Sequence, residues 1–253
     1  MLMVPSPVLS CSLTAGSRPG RAEQSIRPAL GSAIGKFRKS HATGLGRNPH
    51  AGVPRQVGRR GLLPNPRRGR CTGNRQDGLY AHHSDENTIK NNNLSLNSGS
   101  GAYFLNSTSN VIHDNVLQKN LGSGVFLNNA SSNILTSNNA SENKESGIYI
   151  NSSTNNTVSD NSALLNQGSG IFLNNTFENK VSSNIASENQ GSGIYLTNVI
   201  SDTIRGNTAE SNEKSGIKIH NSTGSFIKDN TAVDNTGSGV VVSSSKNDLL
   251  INN

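Results

Sequence analysis

Beyond residue 87 the apolar residues recur every 23 positions. One column holds Ile89, Ile112, Leu135, Val158, Val181, Ile204, Ile227 and Leu250, and a second holds Leu94, Leu117 and then the alanines 140, 163, 186, 209 and 232. A third runs Ala102, Val125, Ile148, Ile171, Ile194, Ile217 and Val240. A fourth runs Phe104, Leu127, Ile150, Leu173, Leu196, Ile219 and Val242. The third and fourth are separated by a single residue, the alternation of a strand whose successive side chains point to opposite faces.

Polar residues keep the same period. Asn92, Asn115, Asn138, Asn161, Asn184, Asn207, Asn230 and Asn253 form one series, and Asn97, Asn120, Asn143, Asn166, Asn189, Asn212 and Asn235 another. Ser100 and Gly101 each begin a column that continues without insertion or deletion to Ser238 and Gly239. One repeat therefore reads as a short strand, an Asn corner, a second short strand, an Asn corner with Ser-Gly, and a third strand. A loop of about five residues then leads to the next repeat.

Three short strands per 23 residues predict one coil of a parallel β-helix, each coil pairing with its neighbours at about 4.8 Å. Seven complete coils over residues 84–253 make a rod roughly 34 Å long. Each coil buries about four apolar side chains, too few to fold alone, so stability must come from stacking. The Asn columns are expected to serve the corners, where Asn tolerates unusual dihedrals, and to pair amide to carbonyl along the rod. They are assigned a structural role and no chemistry. A leucine-rich repeat has a similar period, but it needs Leu-x-x-Leu-x-Leu before its Asn, and here Gly-Ile-x-Leu and two Asn per repeat stand instead.

Composition divides the chain. Residues 1–80 hold 14 of the 23 Lys and Arg against only Glu23 and Asp77, and residues 81–253 hold 9 basic and 14 acidic side chains. All eight Pro lie at or before Pro66. Residues 1–83 show no sustained apolar period and are read as a disordered Arg/Gly/Pro-rich segment. It suits an electrostatic arm, a transit peptide, a faint lipoprotein box at Val8–Cys11, or non-native sequence upstream of a mis-assigned start. The abrupt change of composition favours the last. Without aromatic residues among its Arg clusters, a nucleic-acid partner is not expected. Two Cys exclude a disulfide framework, and no apolar run is long enough for a membrane helix.

The unit Asn-x-x-x-x-Asn-x-Ala-x-x-Asn-x-Gly-Ser-Gly-Ile-x-Leu, at Asn156–Leu173 and Asn179–Leu196, resembles the right-handed parallel β-helix repeats of NosD-type periplasmic copper-binding proteins. It is similar, too, to the carbohydrate-binding and sugar-hydrolase modules of envelope proteins. The resemblance covers residues 87–253. It implies a right-handed coil and a periplasmic, cell-surface or extracellular setting, and it leaves activity open because the scaffold serves lyases, hydrolases, epimerases and non-enzymes.

Candidate chemistry is sparse. Asp114, Asp160 and Asp229 share one outward column and Glu142, Glu188 and Asp234 another. The nearest acids within a column are two coils apart, roughly 9.6 Å, at the upper limit for an inverting carboxylate pair and beyond a retaining one. The Asn-Thr-Asp, Gly-His-Gly and Arg-Ile-Lys motifs of polygalacturonase-like enzymes, and an Asp-Pro-His epimerase motif, do not occur. Copper would need Met, Cys or His clusters, whereas the repeats hold no Met or Cys, and His113 and His220 occupy different coil positions. No metal site and no cofactor are expected, with His82-His83 beside Asp85 and Glu86 suited at most to a stray cation.

The informative surface feature is aromatic. Tyr103, Phe126, Tyr149, Phe172 and Tyr195 occupy one column of five consecutive coils, followed by Lys218 and Val241. The column lies between two inward columns, so alternation points it outward. Three roles fit: a carbohydrate-binding platform, cross-coil stacking that stabilises the rod, or a subunit contact. The sequence thus favours a non-catalytic envelope or secreted module that binds polysaccharide or builds a surface layer. The alternative is a fragment of a carbohydrate-active enzyme with its catalytic coils elsewhere. Repeat residues run to Asn253, so further coils are expected beyond it, and an uncapped end favours end-to-end self-association.

Overall fold

The computed structural model describes residues 69–253. Among them every β pairing is parallel and joins positions 23 apart, as in Ile148 with Ile171 and Val158 with Val181. The chain winds as a parallel β-solenoid. Eight strands, from Leu79–His82 to Val240–Ser243, form one sheet, here called the aromatic sheet. Eight shorter strands, from Thr88–Lys90 to Leu249–Ile251, form a second. The third side is mostly single bridges, Asn93 to Val116 to Asn139 and onward to Thr208. Only Gly69–Arg70 with Asn92–Asn93, and Thr208–Glu210 with Thr231–Val233, extend to strands there.

The four apolar columns meet in one continuous core. From Leu94 to Ile227 their members are buried, and Phe104 is the largest side chain fully enclosed. A fifth inward column was not anticipated: Ser107, Ala130, Ser153, Thr176, Val199 and Ser222 are buried beyond the end of the aromatic sheet. Its small and polar members carry no hydrophobic signal.

The solenoid starts upstream of the expected boundary at residue 84. Leu79, Tyr80, Ala81 and His82 pair with Ala102, Tyr103, Phe104 and Leu105, and Cys71 is buried where the next coil has Leu94. An eighth coil thus precedes the seven expected. Asn74, Gly78 and Tyr80 do keep the columns, but Arg70 and Arg75 give the stretch the composition of the segment before it. The remaining expectation for that segment, over residues 1–68, lies outside the described residues.

The corners differ from the sequence reading in two respects. Left-handed backbone falls one residue before each ladder Asn: Asp114 (φ 56°) precedes Asn115 and Glu142 (φ 58°) precedes Asn143. Nor is the Gly column left-handed. A Cβ on Gly147 would lie 2.6 Å from the Ala140 carbonyl oxygen, 2.7 Å from that of Gly170 and 2.8 Å from the Ala163 Cβ. Close approach of the chain to itself and to the next coil therefore demands both the glycines and the alanines opposite them.

Candidate functional site

The Asn columns form the expected ladders. In each rung Oδ1 accepts the backbone N–H and the Nδ2 of the Asn 23 residues earlier, as Asn161 does from Asn138 at 2.9 and 3.0 Å. Nδ2 also donates back to a carbonyl of the preceding coil, Asn138 to Ile112 at 2.8 Å. Such a side chain has its donors and acceptor occupied, which leaves nothing for a ligand. A third ladder, whose Asn156 and Asn179 open the quoted repeat unit, runs through Asn87, Asn110, Asn133, Asn156 and Asn179 at the remaining corner.

Asp202 continues this third ladder with a carboxylate. It is fully buried and accepts from Asn179 N at 2.7 Å and Thr176 Oγ1 at 2.6 Å. A carboxylate cannot donate back as Asn does, and the Thr176 hydroxyl supplies the missing proton from the other side. Burial raises its pKa above the ordinary 3.8, against the lowering effect of the Thr176 and Asn179 bonds.

The outward acids form the columns expected of them, and two of the six, Glu142 and Asp229, lie beside cations. Lys119 reaches Glu142 at 3.3 Å across adjacent coils, and Asp229 lies 3.6 Å from Arg205 and 3.8 Å from Lys228. His113 contacts Asp114 at 2.7 Å. Exposed pairs of this kind are a solvated charge pattern worth little individually. Among the described residues no three His, Cys, Asp or Glu gather as a metal site would require, and the His82 and His83 rings lie tilted against each other with centroids 4.1 Å apart.

The aromatic column is the surface feature that the fold assembles. Tyr103, Phe126, Tyr149, Phe172 and Tyr195 are half-buried, while their neighbours on either side in the strand are enclosed. The rings stack coil on coil, with centroids 4.7 to 4.9 Å apart and planes within 9° of parallel. Tyr80 meets Tyr103 edge-on at 5.4 Å, and Lys218 Nζ lies 4.9 Å from the Tyr195 centroid. Ring faces are therefore covered by other rings, and the stack presents its edges and the Tyr hydroxyls to solvent. The sequence could place these side chains outward; it could not give their mutual orientation.

Beside the rings runs a parallel line of amides. Asn174 donates to Asn151 at 2.9 Å, Asn151 to Asn128 at 3.0 Å, and Asn128 to the Tyr103 hydroxyl at 3.2 Å. At the exposed corner Asn129 donates to Asn106, and Asn221 to Asn198, each at 2.7 Å. Ring edges, hydroxyls and amides thus form one polar and aromatic track along the rod.

A stacked, uncapped-corner architecture of three parallel faces defines the class as a single-stranded β-solenoid. A family model for the right-handed beta helix region matches residues 68–199, more than half of the sequence, and the chain belongs to that family. The model for the periplasmic copper-binding protein NosD matches residues 156–253. That stretch contains His220 as its only imidazole and neither Met nor Cys, so its donor set does not fit copper. No curated protein sequence matches the chain.

Among solved structures, the A-module of the mannuronan C-5 epimerase AlgE6 from Azotobacter vinelandii is 18% identical, with a TM-score of 0.55 over 70% of this chain and 55% of that one. A mutant of the periplasmic alginate epimerase AlgG is 18% identical, with a TM-score of 0.52 over 67% and 47%. DFA-IIIase from Arthrobacter chlorophenolicus A6, in complex with GF2, is 17% identical, with a TM-score of 0.55 over 64% and 46%. The likeness is one of fold, and the chain spans about half the length of each.

Proposed function

We propose that this chain is a non-catalytic, extracytoplasmic β-helix module that binds polysaccharide along its aromatic sheet. The observation that carries the reading is the track itself. Ring edges repeat at the coil spacing over five coils, with a Tyr hydroxyl on every second coil and amides beside three of them, which suits a linear chain of repeating hydroxylated units better than a compact ligand. The printed names of the structural neighbours, alginate and mannuronan epimerases, support a carbohydrate partner, and the periplasmic descriptions of NosD and AlgG support the location.

A second reading has one observation in its favour. The chain covers only 46 to 55% of the three enzymes named above, so it matches a portion of a carbohydrate-active β-helix whose catalytic coils would lie elsewhere. Glycan-array binding combined with reducing-sugar release on the full chain tests whether this chain itself binds polysaccharide without cleaving it. Binding without release is expected. Release of reducing ends would replace the module with a hydrolase or lyase, and an array with no positive glycan would remove the carbohydrate reading.

A further inference from the structure

The described residues contain fifteen carboxylate side chains, from Asp77 to Asp248, and the ring and amide columns of the aromatic sheet contain none of them. The column of the rings passes from Tyr80 to Val241, and the amide column from His82 to Ser243, without an acid. This is notable on a rod that carries 14 acids and 9 cations over residues 81–253. Lys218 stands in the ring column and His220 beside it in the amide column. Among the described residues Lys218 has no carboxylate partner, and its ammonium rests against Tyr195.

The ring geometry adds to this charge pattern. An aromatic ring is negative on its faces and positive at its edge. Face-to-face stacking along the rod consumes the faces, so the exposed edges offer weakly positive C–H groups. The amides beside them keep one N–H free after donating the other along the ladder. A neutral glycan gains most by laying its apolar ring face on an aromatic face, and here those faces are taken. A chain bearing carboxylate or sulfate groups meets edges, free N–H groups and an unpaired ammonium, and no carboxylate stands in either column; Asp77 acts only at the Tyr80 end.

We infer that the ligand of this face is an anionic polysaccharide, held along the ring and amide columns with Lys218 as its principal charge contact. The inference rests on the polysaccharide reading and narrows it to one ligand class. The test uses the full chain with two matched pairs of probes: polygalacturonate against its fully methyl-esterified form, and dextran sulfate against dextran. Residues 1–68 carry 12 Lys and Arg against one acid, so any polyanion meets that charge as well. The decisive comparison is therefore between single variants of the same chain.

Polygalacturonate should bind at least tenfold more tightly than its ester. Lys218→Glu should weaken that binding at least tenfold, and Lys218→Arg should keep it within about twofold. Lys180→Glu, on the exposed face of the other sheet, should leave it unchanged. The Lys218-dependent part should fall as NaCl is raised from 50 to 500 mM, because screening shortens from over 10 Å to a few Å. Equal loss in Lys218→Glu and Lys180→Glu would overturn the inference, since the attraction would then be diffuse. Equal binding of charged and neutral forms would overturn it while leaving the polysaccharide reading in place. Failure of all four probes would overturn it too, and only an empty glycan array would remove both.

Discussion

Asp202 shows how closely the ladder positions are specified. It replaces the amide of its neighbours with a carboxylate that cannot donate, and burial raises its pKa. The folded chain therefore keeps this proton to a higher pH than the unfolded chain does. The stability contribution is fully present below the ordinary 3.8 and is lost as pH rises from there through the raised folded value. Asp202→Asn should accordingly stabilise the protein by about 1 kcal/mol at pH 7, and the gain should shrink on acidification toward pH 4. Thermal melts of both proteins across that range check the sign. Gly147→Ala should act oppositely, costing about 1–3 kcal/mol by overpacking, because the added methyl meets two carbonyl oxygens of adjacent backbone. The two Asn ladders were legible in the sequence because nothing interrupts them. The third was legible only as far as Asn179, because Asp202, Ser225 and Asp248 take over its later rungs, and a column defined by accepting a hydrogen bond has no single residue identity.

A coil is the unit of the fold at the next scale. Its strands are three to seven residues long on the two regular sheets, and four on most rungs of the aromatic one. No strand pairs within its own coil, since all pairings are 23 apart. Deleting residues 139–161, one whole period, joins Asn138 to Ser162 and preserves every column. That variant should keep its β-sheet circular dichroism and cooperative melting. Deleting Tyr149 alone shifts Ile150 and Asn151 by one position, which turns the alternation of that strand inside out; it should melt far lower or fail to fold. Equal behaviour of the two deletions would show that register is not what the columns encode. The strand phase and corner positions were readable from alternation and period. The reason for the Gly column was not, since close approach of adjacent coils is a property of stacking and leaves no local signature.

At the scale of the molecule, the apolar columns, ladders and ring stack are one device repeated along an axis. The first coil belongs to it although its Arg-rich composition hid it. A chain beginning at residue 84 should therefore melt below one beginning at residue 69, because it strips the strand Leu79–His82 from Ala102 and Phe104. The ring stack contributes to the rod as well as to its surface, at about 0.5–1.5 kcal/mol per ring pair. Any test of the face must separate those roles. The most direct one replaces Tyr149, Phe172 and Tyr195 together by Ser in the full chain and measures binding to a polysaccharide that the unaltered chain retains. The account predicts that binding falls at least tenfold while β-sheet circular dichroism is kept and melting drops only by the lost stacking. Unchanged polysaccharide binding by a folded triple variant would contradict it.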